Sequence, residues 1–130
     1  MAIEFQVTLE DKPGELARLG AALGDADVNI DAIHGFSLAG RGIVQLVPNQ
    51  PEQASKALEA RGITFTQREV LVVKVLDESG MLGDVALVMS EAGINIDSVY
   101  ITTAGHVVMA VDDLNGAIQV AGGMAVMSPE

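Results

Sequence analysis

Two short segments have the residue types and spacing that could do chemistry. The first is Asp11-Lys12-Pro13-Gly14-Glu15-Leu16, which closes an alternating run and opens a helical one, so it turns a strand into a helix. The first N–H groups of a helix have no partner inside it. Together with the helix dipole they suit an anion such as a carboxylate. Gly14 leaves that approach free of a side chain. A structural reading stands beside this one: Asp11 caps the helix, and Pro13-Gly14 only makes the turn. The second segment is Asn29-Ile30-Asp31, at the start of the next strand. Asn29 offers both a donor and an acceptor, and Asp31 a carboxylate that could receive an ammonium group. If the topology turns this segment toward residues 11–14, the pair suits a zwitterion. Otherwise Asn29 and Asp31 shape a turn into the strand.

Other chemistry finds little support. The 130 residues contain no Cys, which excludes disulfides, thiolate metal sites and a cysteine nucleophile. His34 and His106 have no second His or Cys at ligand spacing, so no metal site is expected. His34 falls on Tyr100 in the repeat described below, and both are placed to flank a ligand or a subunit seam. No nucleophile elbow, nucleotide loop or zinc-protease pattern occurs, so neither a catalytic residue nor a cofactor is expected. Seven basic against 18 acidic side chains give a net charge of −11, which argues against nucleic acid. No stretch approaches the ~20 apolar residues that span a bilayer. The N-terminus lacks the basic start and apolar run of a signal peptide, which predicts a cytoplasmic protein with no membrane partner. The pairs Asp25/Asp27 and Asp112/Asp113 fall at turns and read as solvated surface.

The elements that must position the two segments come in duplicate. A shift of 66 residues superposes Val7 on Val73, Asp11 on Asp77, Gly14 on Gly80, Leu16 on Leu82, and Asn29-Ile30-Asp31 on Asn95-Ile96-Asp97. Each copy reads as strand, helix, strand, strand, helix, strand. This predicts an α+β fold of two ferredoxin-like βαββαβ units in tandem, residues 1–68 and 69–130, with antiparallel sheets and helices on one face. Ile3, Phe5, Val7 and Leu9 alternate with Glu4, Gln6, Thr8 and Glu10, as in a sheet covered on one side. Leu16, Leu19 and Leu23 form a helical stripe that stops at Gly24. Residues 28–37 and 42–47 form a hairpin about Ala39-Gly40-Arg41. A helix from Pro51 turns Ala54, Ala57 and Leu58 inward, and residues 63–66 supply the fourth strand. In the second copy Leu82, Val85, Ala86 and Met89 repeat the stripe. Leu87 and Val88 widen it, so that helix is expected to be covered on more than one side. Residues 107–111, a helix through Leu114, Ala117, Ile118 and Ala121, and a last strand at 124–127 complete the copy. Strand 70–76 is apolar except for Lys74, so it reads as buried on both faces at a seam between domains or chains. With the broad helix it predicts a homodimer.

The chain resembles a tandem of two ACT domains. The resemblance rests on Asp11-x-Pro13-Gly14-x-Leu16, the Leu19/Leu23 helix, Val28-Asn29-Ile30-Asp31, Asp77-x-x-Gly80-x-Leu82 and Gly93-Ile94-Asn95-Ile96-Asp97. It implies a regulatory, non-enzymatic protein that binds a free amino acid at an interface between ACT-like units and signals through a change in domain or subunit arrangement. By that resemblance Asp11, Pro13, Gly14, Glu15, Leu16, Asn29, Ile30 and Asp31 form one site, and Gly80, Met81, Leu82, Asn95, Ile96 and Asp97 its counterpart. The alternative is a ligand-free regulatory subunit that docks on a metabolic enzyme. The copies differ in ways that favour the first site. Ser79-Gly80 stands where the first copy has Pro13-Gly14. Residues 1–68 hold six basic and nine acidic groups, a balance of −3, whereas residues 69–130 hold one and nine, a balance of −8. A carboxylate is expected to be less welcome near the second turn.

Overall fold

The computed structural model describes residues 2–74 and 78–126. One compact unit comprises Ile3–Arg68, and a second comprises Ala2 together with the chain from Glu69 onward.

In the first unit the chain runs through β1 (Ala2–Glu10), α1 (Glu15–Asp25), β2 (Ile30–Leu38), β3 (Arg41–Pro48), α2 (Pro51–Ala60) and the opening part of β4 (Thr64–Val73). The sheet order is β2-β3-β1-β4, with β3 antiparallel to both β1 and β2. The β1 alternation aims Phe5, Val7 and Leu9 at the helices. There they join Leu19, Leu23, Ala54 and Leu58, all at most 5% exposed. Each such large side chain removed from water contributes roughly 1.5–3 kcal/mol. The β2–β3 turn places Ala39 (φ 51°) and Gly40 (φ 79°) in succession in the left-handed region, the twist a two-residue hairpin loop needs. Helix α1 runs one residue past Gly24, and the left-handed residue that follows it is Asp27 (φ 57°). Leu16, counted in the apolar stripe, is 62% exposed and lies outside the core. Glu4, assigned by alternation to the open face, is 1% exposed.

The second unit uses residues 70–73 of β4 as its first strand, followed by α3 (Met81–Glu91), β5 (Ile96–Ile101), β6 (Val107–Val111), α4 (Leu114–Ala121), one 3-10 turn (Gly122–Met124) and β7 (Ala125–Val126). Its order, β5-β6-β4-β7, reproduces that of the first unit, and each of these pairings is antiparallel. Leu71, Val73, Met109, Val85, Met89, Ala117 and Ala121 form its core. The fourth strand of the first copy and the first strand of the second are thus one continuous β4. The last strand is reduced to two residues, and Met127 lies outside the described residues. Val70, Leu71, Val72 and Val73 are at most 1% exposed; Val75 and Leu76 lie outside the described residues. On the widened α3 stripe Leu87 is 57% exposed within this single chain. Leu82, like Leu16, is exposed.

Candidate functional site

Helix α1 starts without a side-chain cap. Gly14 is its N-cap residue at φ 94°, a conformation that costs a glycine nothing, and no side chain accepts from the first N–H groups. Asp11 does not cap the helix; its Oδ1 accepts a hydrogen bond from Ser37 Oγ at 3.0 Å. That bond ties the turn to the far end of β2. Around it opens a cleft of about 490 Å³, lined by Leu9, Asp11, Lys12, Glu15 and Leu16 on one side and by Ile33, Gly35, Ser37 and Val44 on the other. Its volume lies within the ~300–1,000 Å³ of small-molecule sites.

The charges at the rim are ordered. Arg18 donates from Nε and Nη2 to the two carboxylate oxygens of Glu15, each at 3.2 Å. This hydrogen bonding holds the Glu15 carboxyl below the usual carboxylate range. Lys12 Nζ lies 2.9 Å from Glu10 Oε2, and that contact raises the ammonium above its ordinary value. Asp25 is exposed, as a solvated surface residue should be, and pairs with Arg61 at 2.7 Å.

Asn29, Ile30 and Asp31 do not line this cleft. The reason is topological. Helix α1 carries the chain back to the end of the sheet where β1 begins, so Ser37, opposite Gly42, reaches the turn while Ile30 sits opposite Pro48. Seven residues of strand separate the two positions, roughly 23 Å at ~3.3 Å per residue. Within one unit the two segments therefore do not converge. Instead, Asn29 and Asp31 form a clasp at the start of β2. Asn29 Nδ2 donates to Asp31 Oδ1 at 2.8 Å, Asn29 N–H donates to Asn49 Oδ1 at 2.9 Å, and Asn49 N–H returns a bond to the Asn29 carbonyl at 3.0 Å. The β2–β3 register shifts between Ile30 and Ala32, so Asp31 is the bulged residue. It is 1% exposed, and its Oδ2 has no partner among the described residues.

The second copy repeats the clasp. Asn95 Nδ2 donates to Asp97 Oδ1 at 2.8 Å, Asn95 N–H donates to Asp112 Oδ1 at 2.9 Å, and the register shifts between Ile96 and Ser98. Gly80 repeats the left-handed N-cap at φ 89°, with Met81 half-buried and Leu82 51% exposed. Asp77 lies outside the described residues. Gly35, Ser37, Ile33 and Val44 were not singled out in the sequence. The signal that identifies them is topological: in a βαβ unit the end of β2, not its start, comes up beside the end of β1. His34 lies at the same cleft, its ring 5.5 Å from that of Phe36, whereas Tyr100 is 7% exposed. Among the described residues no three His, Cys, Asp or Glu side chains are grouped to hold a metal ion, and no helix is long and apolar enough to cross a membrane.

A family model described as an ACT domain pair matches residues 1–121. No curated protein sequence matches the chain. Among solved structures, a protein of Bacteroides thetaiotaomicron superposes with a TM-score of 0.85 at 24% identity, over 92% of this chain and 85% of that one. The ligand-free regulatory subunit of aspartate kinase from Thermus thermophilus gives 0.66 at 16% identity, over 93% and 95%. A structure of aspartokinase alpha and beta subunits gives 0.64 at 20% identity, over 92% and 88%. At these identities the likeness is one of fold.

Proposed function

The chain belongs to the ACT domain pair family, and on that premise we propose that it is a regulatory protein, not an enzyme, that binds a free amino acid in the cleft of its first unit. One observation carries this reading: an apolar cleft opens beside a helix start that no side chain caps. The ligand carboxylate takes the first N–H groups of α1 with Lys12 nearby, and the ammonium faces Asp11, whose carboxylate Ser37 holds in place. Asn29 and Asp31 serve the site indirectly, by setting the register of β2.

Signalling requires a second state. Strand β2 lies at an edge of its sheet, with Ile33, Phe36 and Leu38 45–61% exposed. An exposed apolar edge invites pairing, and we assign it to a homodimer contact next to the cleft. Ligand would then favour one subunit arrangement to the extent that it binds that arrangement better.

A thermal-shift screen against the twenty amino acids tests the reading. A ligand at ~100 times its Kd adds about 2.7 kcal/mol, a shift of several degrees for a chain of this size. Light scattering at micromolar concentration should give twice the chain mass. A second reading, docking on a metabolic enzyme without a ligand, draws on the exposed Leu82, Leu87, Val99 and Ile101 of the second unit. It gains if no amino acid shifts the melt and a single enzyme co-purifies through that unit.

A further inference from the structure

One position on the floor of the cleft, Gly35, has no side chain. On β2, Ile33, Gly35 and Ser37 alternate onto the face that Val44 and Leu9 share, since Gly35 pairs with Val44, Val44 with Val7, and both Ser37 and Leu9 with Gly42. A Cβ built on Gly35 would meet Val44 Cγ2 and the Ile43 carbonyl oxygen at 3.4 Å, so a larger side chain there stands over Val44, in the space the cleft occupies. Its backbone is not in the left-handed region, so glycine is not demanded by conformation. The second unit shows the alternative. Ile101 lies 66 residues beyond Gly35 and opposes Val107 as Gly35 opposes Val44; it is 69% exposed.

Building on the reading that an amino acid binds here, we infer that the ligand has a bulky apolar side chain, branched or aromatic, laid over the bare backbone of Gly35. The walls that would touch it are Leu9, Leu16, Ile33 and Val44. Leu16 and Ile33 are 62% and 45% exposed, apolar surface that such a side chain would cover. Most of the polar groups, Asp11 with Ser37, Lys12 with Glu10, and Glu15, lie at the turn and the strand ends, where an ammonium and a carboxylate need them, while His34 stands along β2 between Ile33 and Gly35. A charged ligand side chain would surrender its hydration against the apolar walls Leu9, Leu16, Ile33 and Val44. Small apolar side chains would leave the walls uncovered, and each methylene in such a pocket is worth roughly 10–200-fold in selectivity. Ile101 closes the equivalent position of the second unit to a ligand of this class.

Calorimetry with leucine, phenylalanine, alanine, glutamate and lysine tests this on the full chain. Leucine or phenylalanine should bind at least about tenfold tighter than alanine, with glutamate and lysine weaker still. Gly35→Ile should lower leucine affinity at least about tenfold. Leu16→Ala, at an exposed helix position where the fold does not depend on it, should weaken leucine several-fold and alanine hardly at all. A circular-dichroism melt matching the parent's shows that Gly35→Ile is folded; if it is not, the Leu16→Ala pair of affinities decides. Tighter binding of glutamate, lysine or alanine, or leucine binding untouched by both substitutions, overturns the inference and leaves amino-acid binding standing. Binding of none of the five, nor of any other amino acid, overturns both.

Discussion

The two units share one backbone plan and differ at the same corner of it. Both start their first helix from a left-handed glycine, and both begin the following strand with an Asn–Asp clasp over a bulge. Around the helix start the chemistry changes. Where the first unit has Lys12, Glu15 and Arg18, the second has Glu78, Met81 and Asp84, and where the first has Gly35 the second has Ile101. The features that shape the backbone are common to both, whereas those a ligand would meet belong to one. A repeated motif is therefore better read as architecture until a cleft is found beside it.

The clasp gives the strongest way to break this comparison. Asp31 is 1% exposed while Asp97 is exposed, so the same deletion should differ in cost. Asn29→Ala leaves a second buried oxygen of Asp31 without a donor and should cost about 1–3 kcal/mol; Asn95→Ala should cost about 0.5–1 kcal/mol. Urea denaturation of the two variants measures both. Equal costs would remove the claim that burial separates the two clasps.

Next in size is the rim charge. Lys12→Glu installs the second unit's residue beside the first helix start and should weaken amino-acid binding about tenfold at low salt, less at high salt. Calorimetry at two ionic strengths checks it, and an unchanged Kd would put the ligand carboxylate elsewhere. A smaller contrast lies at the second helices. Asp113 Oδ1 accepts from Gly116 N–H at 3.0 Å at the start of α4, whereas α2 begins at Pro51 with no side-chain cap. Asp113→Ala should cost about 1 kcal/mol in a thermal melt, and Gln50→Ala a few tenths. The smallest effect is electrostatic. Arg18 holds the Glu15 carboxyl below its ordinary range, so the contribution of that pair is present above the ordinary carboxylate pKa and lost as pH falls through the lowered one. Arg18→Ala should move the Glu15 titration upward, read from its carboxyl carbon by NMR, with no counterpart at Met81.

The sequence by itself determined the duplicated βαββαβ plan, because periodicity, turn residues and the 66-residue shift are local properties that survive without tertiary context. It also marked the turn before α1 as a helix start, since the first N–H groups of any helix lack a partner inside it, whereas that Asp11 leaves them uncapped was decided by the fold. What it could not determine was which second segment faces that start. Asn29 and Asp31 have the right chemistry, but chemistry does not fix distance, and a helix between two parallel strands sends the next strand's beginning to the opposite end of the sheet. Only the folded chain brings Ser37 to Asp11, and only there does Gly35 lie on the floor of a cleft. In the sequence Gly35 is an interruption in a strand; its meaning depends on Val44 and Leu16 standing around it, and those neighbours are set by strand register and helix packing.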